Sequence, residues 1–254
     1  MDDALFEYAL RMGDTTLVLS HRLSEWTGHG PVLEEELALS NVSLDLLGQA
    51  RMWLTLAGDI EGRGRDEDKL AYLRDAPQYR NYLLVEQDNG HYGDTMARQF
   101  LFDTWHYFLL EKLSASTDER VAAIAAKGLK EVAYHARRSA DLIVRLGDGT
   151  DDSHARMQAA LEGAWRFAGE LFHDDAVTRQ LAGQGIVPLH AELAPHWENH
   201  VRGVIEEATL SLPPVQESRH PAYAGGIAGR HTEALGYLLA EMQFLQRAYP
   251  GASW

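Results

Sequence analysis

The 254-residue chain contains no cysteine. That excludes disulfides, thiolate nucleophiles, iron–sulfur clusters and cysteine-bound zinc. Proline is scarce, 8 in all, which leaves long stretches free to be helical. No uninterrupted apolar run approaches the roughly 20 residues that a membrane-spanning helix needs. The start, Met1-Asp2-Asp3, is acidic and lacks the basic-then-apolar layout of a secretory signal. Positive charge is also in short supply: 23 Lys and Arg face 38 Asp and Glu, a formal net charge of −15. Such a surface repels phosphate backbones, so neither nucleic acid nor membrane is expected as a partner. A cytoplasmic protein is the expectation.

What is present reads as helix. Expected helices run over about 3–26, closed by Gly28, Gly30 and Pro31, and from 34 to near Gly62-Arg63-Gly64-Arg65. A broken segment containing Pro77 and Asn89-Gly90 separates them from helices over about 93–114 and 119–147, the latter announced by Thr117-Asp118-Glu119. Three more are expected over about 153–173, 189–210 and 232–249, with one long loop from Pro213-Pro214 to Gly225-Gly226. No strand pair, repeat or linker is evident. The fold class is therefore all-α, a single domain over 1–254.

The helical seams carry the chemistry. Leu39, Val42, Leu46, Gln49, Trp53, Leu56 and Ile60 recur at three- and four-residue steps, as do Met96, Phe100, Asp103, Tyr107 and Leu110. Val121, Ala125, Gly128, Val132, His135, Ser139, Leu142 and Leu146 form a third stripe. Each is apolar but for mid-helix polar breaks: Gln49, Asp103, and His135 with Ser139. Glu25 on the first helix is the fourth candidate. Helical bundles that hold two iron or manganese ions use Glu-x-x-His on each of two helices and a lone Glu on each of two others. Here Lys130-Glu131-Val132-Ala133-Tyr134-His135 reads Val-x-x-His, and Asp45-Leu46-Leu47-Gly48-Gln49 puts Leu46 and Gln49 in the corresponding places. Two divalent ions cannot be balanced by two carboxylates, one imidazole and an amide. The alternatives are a metal-free hydrogen-bonded cluster, for instance Asp103 with His135 and Gln49 with Glu25, or a single metal on Glu25, Asp103 and His135.

Other motifs read more simply. His196 and His200 stand at i and i+4, but the intervening Glu198 is one place late for a zinc helix, and nearby His190 and Glu192 are expected to be solvated. His21 and Glu25 suit a helix-surface pair. Asp148, Asp151 and Asp152 suit helix capping rather than a calcium loop. Gly225-Gly226-Ile227-Ala228-Gly229 lacks the preceding strand of a phosphate cradle. Trp53, Trp105 and Trp165 are expected in the core.

The block Leu37 through Arg51 resembles the PaaC subunit family of bacterial phenylacetyl-CoA ring epoxidases. So do Leu84-Val85-Glu86-Gln87, Lys130-Glu131 with Tyr134-His135, His231-Thr232-Glu233 and Glu241-Met242-Gln243. The likeness spans about 8–254. It implies a ferritin-like four-helix bundle core with additional helices. It also implies a place in aerobic phenylacetate breakdown, in a complex that epoxidises the aromatic ring of phenylacetyl-CoA with O2. In that pattern Glu25 and Asp103 fall at the lone-carboxylate positions. Leu46 and Gln49 fall at one Glu-x-x-His pair, and Val132 and His135 at the other. The resemblance therefore implies a non-catalytic subunit without a cofactor or active site of its own. The di-iron site belongs to the PaaA-type catalytic partner, and electrons come from a flavin/iron–sulfur reductase using NADPH. Expected partners are that catalytic subunit, the reductase and the other epoxidase subunits, with a homodimer as an alternative. The loop over 213–229 and the tail over 244–254 are the expected docking surfaces.

Overall fold

A computed structural model describes residues 3–214, 218 and 220–252. Among the described residues there is no strand, and the fold is all-α. No helix is long and apolar enough to cross a membrane. The chain forms two compact units: Met1–Asp88 with Gly225–Trp254, and Asn89–Ala224.

The first unit is built on two long helices, α1 (Asp3–Ser24) and α2 (Leu33–Glu61). Ser20 donates to the Ser43 carbonyl (2.8 Å) and Ser43 to that of Ser20 (2.8 Å), which fixes an antiparallel register. Further along the pair, Gly13 leaves room for the Leu54 side chain, which a Cβ would meet at 2.6 Å. Short helices α3 (Glu67–Tyr72) and α4 (Leu83–Glu86) occupy the segment expected to be broken. The expected last helix is interrupted, giving α10 (Glu233–Met242) and α11 (Phe244–Ala248). At the break, the Gln243 side-chain amide donates to the carbonyls of Ala71 (3.0 Å) and Arg74 (2.9 Å).

The second unit centres on α5 (Tyr92–Leu113) and α6 (Glu119–Gly147). Asp118 caps α6 as its sequence suggests, accepting from the Arg120 and Val121 amides. Around this pair lie α7 (Asp151–Ala168), α8 (Ala176–Gly183) and α9 (Ala194–Glu207). Of these, α8 has no counterpart in the sequence reading; it is 8 residues long and capped by Asp175, which accepts from the Thr178 amide. Thr150 opens α7 with a capping box to Ser153, and Asp151 and Asp152 sit in its first turn, where they favour the helix dipole. Trp165 and Trp197 stack at 5.5 Å, and the Trp197 indole donates to the Leu101 carbonyl (2.9 Å). Trp53, Trp105 and Trp165 are all buried, as expected.

A buried carboxylate closes the first unit. Glu86 is fully buried and accepts from the Thr232 amide (2.6 Å), the Thr232 hydroxyl (2.8 Å) and the Asn81 side-chain amide (2.8 Å). His231 Nδ1 lies 2.8 Å from the same carboxylate. The Arg22 guanidinium bonds the Glu86 carbonyl twice (3.0 and 2.9 Å) and that of Ala234 (3.0 Å). Burial opposes a charged imidazolium at His231, but the Glu86 hydrogen bond and charge outweigh it and raise its pKa above the ordinary 6.5. Nearby, a buried Asp14–Arg74 pair joins α1 to the segment after α3. The glycine-rich stretch serves close packing: a Cβ on Gly226 would meet the Asn81 carbonyl oxygen at 2.2 Å.

Glu86→Ala strands those donors in a dry site and is expected to cost about 3–5 kcal/mol in a urea titration. For His231 the folded pKa is raised, so its contribution is complete below pH 6.5 and fades as pH rises through the folded value. His231→Asn should therefore show a larger deficit at about pH 6 than at about pH 9.

Candidate functional site

The six positions singled out from sequence divide between the two units. In the first, Leu46 and Gln49 are buried on α2, Leu46 with no exposed surface. Glu25 departs from expectation. The periodicity of Leu19, Leu23 and Trp26 suggests a helix to residue 26, but α1 stops at Ser24. Ser24 donates to the His21 carbonyl (2.7 Å), and the amides of Trp26 and Thr27 bond back only three residues. Those tightened bonds turn the chain outward. Glu25 is exposed, its carboxylate 2.9 Å from Arg22.

The register shows why the expected Gln49–Glu25 pair does not suit this helix pair. Glu25 lies five residues past Ser20 and Gln49 six past Ser43, in opposite directions. That separation is about 16 Å along the axis at 1.5 Å per residue. The stretch of α1 facing Gln49 lies around residues 14–17, where Asp14 is already engaged by Arg74.

In the second unit, Asp103 on α5 and His135 and Ser139 on α6 are all buried. Asp103 accepts from the Gln99 side-chain amide (3.1 Å). Burial raises its pKa from 3.8 to about 6, held back by the His135 charge, a Ser139 hydrogen bond, the Arg138 charge and the Gln99 hydrogen bond. Asp103 thus feels the His135 charge as one influence among several in a wider polar cluster. Val132, one turn before His135, has no exposed surface and brings only hydrocarbon.

His106 was not anticipated. It is fully buried on α5, with the Phe102 ring at 5.0 Å and the Trp105 ring at 6.2 Å. Among the described residues, neither of its ring nitrogens meets a hydrogen-bond partner. Burial, with a smaller push from the His135 charge, lowers its pKa to about 3 and holds it neutral. Its place on the same face as Phe102 and one turn from Asp103 gave only the signal of a polar residue in an apolar helix.

These side chains do not suit a di-metal centre. Among the described residues no three His, Asp or Glu side chains gather where they could hold a metal ion. Leu46 and Val132 have no lone pairs, Gln49 is neutral, and Glu25 is turned to solvent. The single-metal set of Glu25, Asp103 and His135 meets the same difficulty. The other motifs also resolve into packing. His196 and His200 sit against Phe108, at 5.9 and 6.4 Å. His190, expected to be solvated, is buried with its ring edge-on to Trp105 at 5.8 Å, while Glu192 is exposed.

The chain matches the phenylacetic acid catabolic protein family over residues 1–254. It belongs to that family. It is 50% identical to the C subunit of the 1,2-phenylacetyl-CoA epoxidase of Escherichia coli (strain K12) over 250 residues, 98% of this chain and 99% of that protein. The all-α fold with two long helix pairs has the elements that a ferritin-like member of this family requires.

Asp103 has a folded pKa above its unfolded one, so its contribution to stability is greatest below pH 3.8 and falls as pH rises through about 6. Asp103→Asn keeps an acceptor for Gln99 but removes the buried charge. It should stabilise the protein at about pH 8 by on the order of 1–3 kcal/mol and change little near about pH 3, read from urea midpoints.

Proposed function

We propose that this chain is a non-catalytic structural subunit of a 1,2-phenylacetyl-CoA epoxidase, acting in aerobic phenylacetate catabolism in the cytoplasm. It pairs with a PaaA-type di-iron subunit that epoxidises the aromatic ring of phenylacetyl-CoA with O2. Electrons reach that partner from a flavin/iron–sulfur reductase using NADPH. Leu46, Gln49, Val132 and His135 are then the remnants of two Glu-x-x-His pairs, and Asp103 that of a lone carboxylate. Glu25 is withdrawn from this set, because it lies in the exposed turn after α1.

The observation that carries this reading is the burial of Leu46 and Val132, the two residues that the resemblance sets at carboxylate positions. A carboxylate buried without counter-charge costs several kcal/mol, so a subunit freed from binding metal gains stability from hydrocarbon at each of these positions. The 50% identity, nearly end to end, with the C subunit of the bacterial epoxidase supports a place in such a complex. Asp103 and His135 can still satisfy one another's surroundings electrostatically without any ion.

Protein purified from iron-supplemented cells should contain well under one iron per chain. Coexpressed with the catalytic subunit, it should copurify stably, and ring oxidation of phenylacetyl-CoA should require both chains. One or two irons per chain, with turnover by this chain alone, would overturn the reading.

A further inference from the structure

The helix α2 is apolar on two opposite faces. Leu39, Val42, Leu46 and Trp53 point into the core and are buried. On the far side, Leu33, Leu37, Leu44 and Leu47 are 66%, 55%, 64% and 40% exposed. With Ser40 and Arg51 they follow alternating steps of four and three, the spacing of a coiled-coil seam. A contiguous exposed apolar stripe marks an interaction surface, and these four leucines are left exposed while the opposite face is buried. Beside the seam, a groove of about 580 Å³ opens between α2 and α3. Leu44, Leu47, Leu54, Ala71 and Tyr72 wall it, and Glu67 and Asp68 stand with them.

Charge selects the occupant. Glu34 and Asp45 flank the seam on one side and Glu36 on the other. The one base within it, Arg51, is already paired with Glu67 at 3.1 Å. A second copy would bring the same carboxylates and a further charge of −15, so self-association through this face is opposed. Size points the same way. The seam from Leu33 to Arg51 is about 27 Å long at 1.5 Å per residue. A stable interface needs roughly 800 Å² per partner, so the seam suits the apolar centre of a larger contact rather than a peptide site.

We infer that the outer face of α2, Leu33 to Arg51, is the docking seam for the catalytic subunit. It takes an amphipathic helix of that partner whose leucine-like stripe is flanked by Lys and Arg. This rests on the structural-subunit reading. It places the central contact on a different element from the 213–229 loop and the 244–254 tail. Phe244, Leu245 and Tyr249 in that tail are exposed as well. Gly48, exposed on the flank of the seam, has nothing within 4 Å of an added Cβ. It is where a partner helix can come closest.

The test uses the full chain coexpressed with the catalytic subunit. Leu44→Ser with Leu47→Ser should leave helicity and melting of the isolated chain near wild type, because these side chains are exposed. The same variant should weaken the complex at least tenfold. Glu34→Lys with Asp45→Lys should weaken it several-fold and flatten its salt dependence, while Tyr237→Ser, on the exposed face of α10, should bind as wild type. If wild type binds and the seam variants bind equally well, the docking seam is wrong and the subunit reading stands. If wild type does not bind the catalytic subunit, both fall. A homodimer of the isolated chain that the leucine substitutions dissociate would assign the face to a second copy and overturn the proposal.

Discussion

The first unit depends on one buried carboxylate. Glu86 is reached from the Thr232 amide and hydroxyl, the Asn81 side-chain amide and the His231 ring. Its own backbone carbonyl holds Arg22. A charge taken out of water is tolerable only when such partners surround it, so the arrangement is all-or-none. It binds a segment near residue 231 to one near residue 86 and to the end of α1. The interruption at Gln243, whose amide holds the Ala71 and Arg74 carbonyls, extends the same logic to the C-terminal helices.

The second unit keeps a polar cluster of a different kind. Asp103, Gln99, Ser139 and His135 lie on two helices whose inward faces are otherwise rich in apolar residues, and His106 sits nearby, held neutral. Such groups cost stability when buried and are retained at a penalty that hydrocarbon would avoid. Leu46 and Val132 show the opposite substitution, with hydrocarbon where charge would have stood. On the proposed reading, the chain has moved partway from a metal-binding interior to an apolar one. The outer face of α2 then becomes the part of the molecule through which it acts.

Much of this was legible in the residues. The N-cap at Asp118, the acidic first turn of α7 at Asp151 and Asp152, the seams of α2, α5 and α6, and burial of the three tryptophans follow from local periodicity and from charge near helix starts. The resemblance blocks around Leu84 and His231 were visible as separate stretches. Nothing local indicated that they meet at Glu86, because a contact across 145 residues leaves no periodic trace. Glu25 was misplaced for a related reason: an apolar spacing can run on past the point where backbone bonds tighten and the helix ends. His190 looked solvated because a polar residue at the start of an expected helix carries no sign of the aromatic ring that covers it.

The sequence by itself determined the all-α class, the absence of cysteine chemistry, and the poverty of metal donors at Leu46, Gln49 and Val132, since residue type and spacing are local properties. Only the tertiary structure decided which face of each helix is covered. The outer leucines of α2 have the same spacing as its core residues, and burial depends on what packs against them. It likewise decided that Glu25 faces water while Glu86 does not, because a carboxylate's surroundings are set by distant parts of the chain.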